Sequence, residues 1–515
     1  MAALATTAPR TVALIPHSTP LSRADAAHLL RRTQFHLNPA LLDTLTGQTA
    51  EAAVQHLLTL STDAPKPPEP DWLGERLPGR TATAEEIEAF LAANRTWFDD
   101  IATGWLPAQR TVGLRERLLL FWLNHFVTES QVYRYAYYAY RYLDLLRTHA
   151  LGNFRSLTHA MGLEPAMLIY LNGTQNEDSA PNENYARELL ELFTMSPTAP
   201  DGLPNYTQAD ITDLARALTG WRVNGLTFEV SFVQRRHDTG EKTFLGRTGT
   251  FGYDDALDVI FEERTDEVAH FIASKLYRHF VHPDGDPDVV QAMADLLVAN
   301  EFEIEPVVTV LFSSAAFFDP ALRGAHIKSP ILFLHTLATP LYPDAGAPLD
   351  SQLFRVAAQL GQQLLRPPNV AGWPGYRDWI DTTTFPLRWQ YSDGLLQRVR
   401  GGGRPAFVPL CEQLHDPNAM DAVFHLALAL ADYITPVPVD GLDLPNLSSQ
   451  PYAGDLDANP LPEWVLNAPP YQESLFKQFL AGIPWYEWSL YRDGAETLIQ
   501  AYLLFLTQQP EFQLI

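Results

Sequence analysis

A single cysteine, Cys411, in a chain of 515 residues sets the first boundary on the fold. One thiol cannot close an intramolecular disulfide, complete a cysteine-rich zinc site or hold an iron–sulfur cluster. A chain of this length therefore has to be held by an apolar core. Its composition, 46% hydrophobic and 19% charged, provides for one. The segment Leu410-Cys411-Glu412-Gln413-Leu414 reads as an amphipathic helical turn, which places the thiol among buried, structural cysteines.

Charge narrows the partners. With 36 Lys plus Arg against 61 Asp plus Glu, the formal net charge is −25. Neutralising phosphates requires concentrated Lys and Arg, so nucleic acid and anionic membrane surfaces are excluded as default partners. The longest clean apolar runs, Leu118 to Leu123 and Ala501 to Leu506, fall far short of the ~20 residues that span a bilayer. Met1 to Arg10 has no basic stretch followed by a long apolar one. The expectation is a cytoplasmic protein, or a periplasmic or exported one whose signal has been removed.

Helical periodicity dominates, and the fold class expected is mainly α: a large multi-helix globular body with a small inserted β-hairpin. Asn38-Pro39 starts a helix that the apolar pattern carries to Leu60, and Thr83–Glu86 and Thr207–Asp210 have capping-box spacing. Further helical patterns include 130–149 and 183–195. Phe228, Val230 and Phe232 alternate with polar residues and lead through Arg235 to Gly240 into Lys242-Thr243-Phe244-Leu245, a hairpin over about 228–245. The expected organisation is an N-terminal helical segment (1–61), a Pro-rich linker (62–80), a main body (81–434), a Pro-rich acidic loop (435–470) and a C-terminal helical segment (471–515) that packs on the body.

Five constellations could carry chemistry. In Asn182-Glu183-Asn184-Tyr185-Ala186-Arg187-Glu188-Leu189-Leu190-Glu191, helical spacing puts Asn184, Arg187, Glu188 and Glu191 on one face, with Asn182 as N-cap. Two carboxylates beside an arginine suit an acid/base pair or oxygen ligands for a divalent cation; the same pattern also suits a solvated face. Asn124-His125 ends an apolar helix with His125 on the inward side, as a core histidine or a pocket ligand. His237-Asp238, followed by Lys242, offers a general base or metal ligand on a loop, or simply an Asp-x-Gly turn. Tyr133, Tyr135, Tyr137, Tyr138, Tyr140 and Tyr142 form either a stacking platform for sugars or a helix packed on two sides. Arg366 to Ile380, with Trp373, is too apolar for free solvent and covers a core or walls a pocket. There is no Gly-rich phosphate loop, no His-Glu-x-x-His and no Gly-x-Ser-x-Gly.

Together these pieces resemble the bacterial domain of unknown function 1800 family. The resemblance rests on His28 to Arg32, Phe121 to Val127, Ala150 to Phe154, Ala180 to Phe193, Ala217 to Trp221, His237 to Gly246, Tyr277 to Val281, Lys328 to Pro330, Pro368 to Trp373 and Pro510 to Gln513, in order along the chain. It implies a mainly α-helical protein and a gene neighbourhood that includes a sulfatase/alkaline-phosphatase-like protein; it carries no established reaction. Asn124, His125, Asn182, Glu183, Asn184, Arg187, Glu188, Glu191, Trp221, His237, Asp238 and Lys242 fall inside the family motifs. Many relatives have His where this chain has Leu123, a departure that weakens a two-histidine metal site.

The site expected from this reading is a hydrolase-like or ligand-binding pocket for a saccharide or other polymer fragment. Glu188, Glu191, His125, His237 and Asp238 would carry the chemistry. Asn124, Asn182, Asn184, Arg187, Lys242, Trp221 and Trp373 would bind substrate. The competing expectation is a non-catalytic helical assembly or maturation partner of a sulfatase-like protein, its polar motif fixing helix packing.

Overall fold

A computed structural model describes residues 14–515 apart from 65, 80, 112, 345, 398–402, 418–421, 437–462 and 467. The described chain is mainly helical, with two small antiparallel ribbons. It divides into two compact units, one of Met1–Ser18, Ala50–Phe317 and Gln363–Pro374, the other of Thr19–Thr49, Phe318–Gln362 and Gly375–Ile515. Among the described residues no helix is long and apolar enough to cross a membrane. Residues Met1 to Arg10 and most of the expected acidic loop lie outside the described residues.

The helix starts follow their caps. Thr207 and Asp210 exchange both capping-box bonds, the Asp210 N–H donating to Thr207 Oγ1 (3.3 Å) and the Thr207 N–H to Asp210 Oδ2 (2.8 Å). Thr83 and Glu86 do the same. Asn38 Oδ1 accepts from the Leu41 N–H and Pro39 takes the first helical position, as the sequence predicts. That helix does not run on to Leu60. It ends at Leu45, because Gly47 takes a left-handed conformation (φ +83°), and a second helix begins at Ala50. The 130–149 pattern is likewise broken: Arg134 is left-handed (φ +66°), and the long helix occupies Ala136–Thr148.

In the first unit the Leu114–His125 helix is apolar nearly all round and correspondingly buried, from Leu118 to Leu123 without a gap. Trp122 stacks on Phe154, which is fully buried and edge-on to Phe261; the indole N–H of Trp122 donates to Ala150 O (3.0 Å). Each such side chain contributes roughly 1.5–3 kcal/mol through burial. The tyrosines pack on two sides: Tyr138 and Tyr142 are buried, and Tyr135, Tyr137 and Tyr138 surround Phe228 at 4.9–5.3 Å between ring centroids.

The expected hairpin is two ribbons. Strand β1 (Trp221–Val223) pairs with β2 (Val230–Phe232), and β3 (Lys242–Phe244) pairs with β4 (Arg247–Gly249). The segments around Val230 and Thr243 therefore do not pair with each other. Phe228 is left-handed (φ +64°) and plunges into the tyrosine cluster instead of continuing a strand, which turns β2 back onto β1.

In the second unit, Cys411 is fully buried within the Phe407–Leu414 helix, and burial, then the nearby Glu412, pushes its thiol up to about 12. The ammonium of Lys328 donates to Ile434 O (3.1 Å) and Phe512 O (2.8 Å), and buried Arg388 donates to Lys328 O and Gln513 Oε1. The Ala495–Gln508 helix buries Ile499, Tyr502, Leu503 and Leu506. Those contacts explain its apolar stripe.

Candidate functional site

The predicted polar helix around Glu188 is built from three consecutive pieces. Asn182 Oδ1 accepts from the Asn184 N–H (3.0 Å), and the Asn182 N–H donates to buried Asn176, which also ties to Ala215 O. Asn182 thus shapes the turn one residue ahead of the cap, and the helix spans only Asn184–Glu188. From Leu189 to Thr194 the chain widens into a π-helical turn, so the regular helix expected over 183–195 is not formed. Thr194 Oγ1 donates back to Leu189 O (2.6 Å), five residues earlier.

Two side chains from other helices hold the carbonyls this wide turn leaves available. The Lys275 ammonium donates to Leu192 O (3.0 Å), and His125 Nε2–H donates to Phe193 O (3.0 Å). Lys275 also donates to His125 Nδ1 (3.1 Å), which fixes the imidazole as the neutral Nε2–H tautomer. Burial, then the Lys275 charge, holds His125 well below the ordinary histidine range; burial pulls Lys275 down to about 8. Phe121, Phe126, Phe154, Phe193 and Phe271 enclose the imidazole, and Lys275 lies 4.7 Å from the centre of the Phe271 ring.

On the other side of the same turn lie the carboxylates. Glu183 accepts from Arg187 (3.0 Å), Gln208 (2.8 Å) and Thr212 (2.9 Å), and these bonds hold it below the usual carboxylate range. Arg187 also reaches Gln208 (3.1 Å), so its guanidinium is engaged in pinning this segment to the Gln208–Ala217 helix. Asn184 is exposed. Glu188 and Glu191 are half-buried and have neither a hydrogen bond nor an ion pair among the described residues. Burial, then the charge of Glu191, raises the Glu188 carboxyl, with Arg187 opposing. Tyr206 is pushed up to about 12 by burial and then by Glu191, and Tyr170 is raised by burial and by Glu129 and Glu188. Glu188 and Glu191 thus share one neighbourhood with the phenols of Tyr170 and Tyr206.

His237, Asp238 and Lys242 form a second cluster. His237 Nδ1–H donates to Thr219 O (3.1 Å). Burial would raise Asp238, but the Arg216 guanidinium (Nε to Oδ2, 2.6 Å) and the Gly240 N–H hold it below the usual range. The Lys242 ammonium, fully buried, donates to Asp238 O (2.6 Å) and Gly240 O (3.0 Å). Trp221 sits in β1, 5.1 Å from the Phe232 ring.

Asn124 works as an amide clip. Its Oδ1 accepts from the Trp373 N–H (2.7 Å) and its Nδ2 donates to Trp373 O (3.1 Å). Trp373 is buried, and Gly372 beside it is left-handed (φ +85°), with Asn124 Oδ1 occupying the space a Cβ would need.

The structure therefore brings Glu188 and Glu191 together, and reaches His125 through the carbonyls of the wide turn. His237, Asp238 and Lys242 gather around Thr219 and Arg216. The Gln208–Ala217 helix serves both groups, binding Glu183 from one end and Asp238 from the other. Among the described residues no three His, Cys, Asp or Glu side chains group as a metal site would. Sequence reasoning missed Lys275, Arg216, Tyr170 and Tyr206. Lys275 lies inside the family segment's neighbourhood, two residues before Tyr277, but nothing in helical spacing marks a lysine as the partner of a histidine 150 residues away.

A family model described as "Protein of unknown function (DUF1800)" matches residues 28–513. No curated protein and no solved structure matches the chain.

Proposed function

The chain belongs to the DUF1800 family, and from that premise, which brings no reaction with it, we propose that Glu188 and Glu191 are the working groups of a hydrolase-like or ligand-binding site for a saccharide or other polymer fragment. One observation carries this reading: these two carboxylates stand together without a protein partner among the described residues, while Glu183 and Arg187 beside them are engaged. A carboxyl raised by burial and by a neighbouring charge keeps its proton to higher pH, which suits Glu188 to donate and Glu191 to accept. A divalent cation is the alternative occupant of the same pair. His125 and Lys275 hold the turn that sets the pair's spacing, and His237, Asp238 and Lys242 hold the adjoining ribbon.

The test is release of reducing ends from a panel of polysaccharides by the purified chain, alongside Glu188→Gln and Glu191→Gln. Each variant should lose at least a hundredfold in rate, in the ~10²–10⁴ range of acid/base groups, with its fold intact. Equal activity in Glu188→Gln would remove the reading, and dependence on added cation would favour the metal alternative.

A second reading has its own support. The Glu183–Arg187–Gln208–Thr212 and Arg216–Asp238 networks consume most of the motif's charges in internal packing, as a helical assembly or maturation partner of a sulfatase-like protein would require. Recovery of that specific protein with the tagged chain from the native host, undiminished by Glu188→Gln, would favour it.

A further inference from the structure

A cleft of about 180 Å³, part of it open to solvent, lies in the first unit, lined by residues of 67–72, 100–105 and 140–147. It is smaller than the ~300–1,000 Å³ of drug-sized ligand sites and suits a single small ring. None of its lining residues belongs to the carboxylate pair. Three aromatic residues line it, Trp72, Trp105 and Tyr140, the rings of Trp72 and Tyr140 crossing at 80° with centroids 6.2 Å apart. Trp72 is fixed in place by a stack on Trp97 (5.3 Å, 15°). Pro67, Pro70, Ile101 and Leu143 complete an apolar surround.

The polar groups decide what fits. Arg147 lines the cleft with its Nε (3.0 Å) and Nη2 (3.4 Å) donating to the fully buried Glu116, a carboxylate that Arg115 shares. The carboxylate of exposed Asp100 has no hydrogen bond or ion pair among the described residues, and the buried indole N–H of Trp72 has no acceptor among them. An anionic ligand would meet the Asp100 carboxylate. A cationic one would meet Arg147. A purely apolar one would strip water from Asp100 and leave it unpaired. A neutral ring with an apolar face and a hydroxyl edge satisfies all three: its C–H face lies on an aromatic face, while hydroxyls donate to Asp100 and accept from N–H groups.

We propose that this cleft binds one ring of a neutral saccharide, as a site separate from Glu188 and Glu191. The proposal does not depend on the carboxylate pair being catalytic.

Gly104 provides the test. It lies on the cleft wall in the Ala84–Thr111 helix, and a Cβ there would meet open space, so Gly104→Phe fills the cleft without strain and with better helix propensity than glycine. Maltotriose, cellotriose and xylotriose are titrated into the full chain, followed by saturation-transfer NMR and tryptophan fluorescence. At least one should bind, and Gly104→Phe and Tyr140→Ala should each weaken it tenfold or more. Absence of binding by all three overturns the proposal. So does unchanged binding in a folded Gly104→Phe, or binding of hexanoate in place of the sugars.

Discussion

Replacing Lys275 with methionine keeps the aliphatic stem against Phe271 and removes the ammonium that links His125 to the wide turn. Burial lowers this lysine from its ordinary 10.5 to about 8. At ~1.4 kcal/mol for each tenfold change in proton affinity, keeping it charged costs the folded state about 3 kcal/mol. The unfolded chain holds the Lys275 proton up to pH 10.5, and the folded chain only to about 8, so between those values the unfolded state binds more protons and stability rises with pH. The penalty is complete below pH 8 and is relieved through the window to 10.5. Lys275→Met has nothing to titrate there. Urea unfolding of both proteins at pH 7, 8, 9 and 10 should show wild type gaining about 2–3 kcal/mol on the variant across the series, groups common to both cancelling in the difference. Parallel pH curves for the two proteins would refute the assignment of a buried, charge-penalised Lys275.

Asp238→Asn should cost about 2–3 kcal/mol at neutral pH through loss of the Arg216 pair, and expose the 237–249 ribbon to hydrogen exchange. Because the folded carboxyl is held below 3.8, its contribution is present above that value and lost as pH falls through the lowered one, so wild type alone should show this acid limb. Gly372→Ala should destabilise by about 3 kcal/mol, from a left-handed alanine and loss of the Asn124 bonds, with Trp373 fluorescence shifting to the red; Asn124→Ala should partly rescue it.

Local signals were readable in the sequence because their causes are local. Thr207–Asp210, Thr83–Glu86 and Asn38-Pro39 carry their caps within four residues, and the apolar run from Leu118 to Leu123 could only be buried. His125 was legible as an inward side chain for the same reason. Its role was not. The wide turn from Leu189 exists because Lys275 and His125, far away in sequence, meet the carbonyls of Leu192 and Phe193. Arg216 was equally invisible as the partner of Asp238, since its own helix offers Asp213 just as readily. The ribbon pairing failed at Phe228, where alternation suggested a strand and a pocket of tyrosines took the side chain.

The wide turn at Leu189–Thr194 also turns chain length into a marker. A π-helical turn carries one residue more than the α-helical turn it replaces. A relative lacking that extra residue would regain regular helical spacing, and the carbonyls at Leu192 and Phe193 would bond along the helix instead of to Lys275 and His125. Loss of the wide turn would then be a deletion event, readable from the spacing between the Asn182 turn and Thr194 even where both glutamates persist.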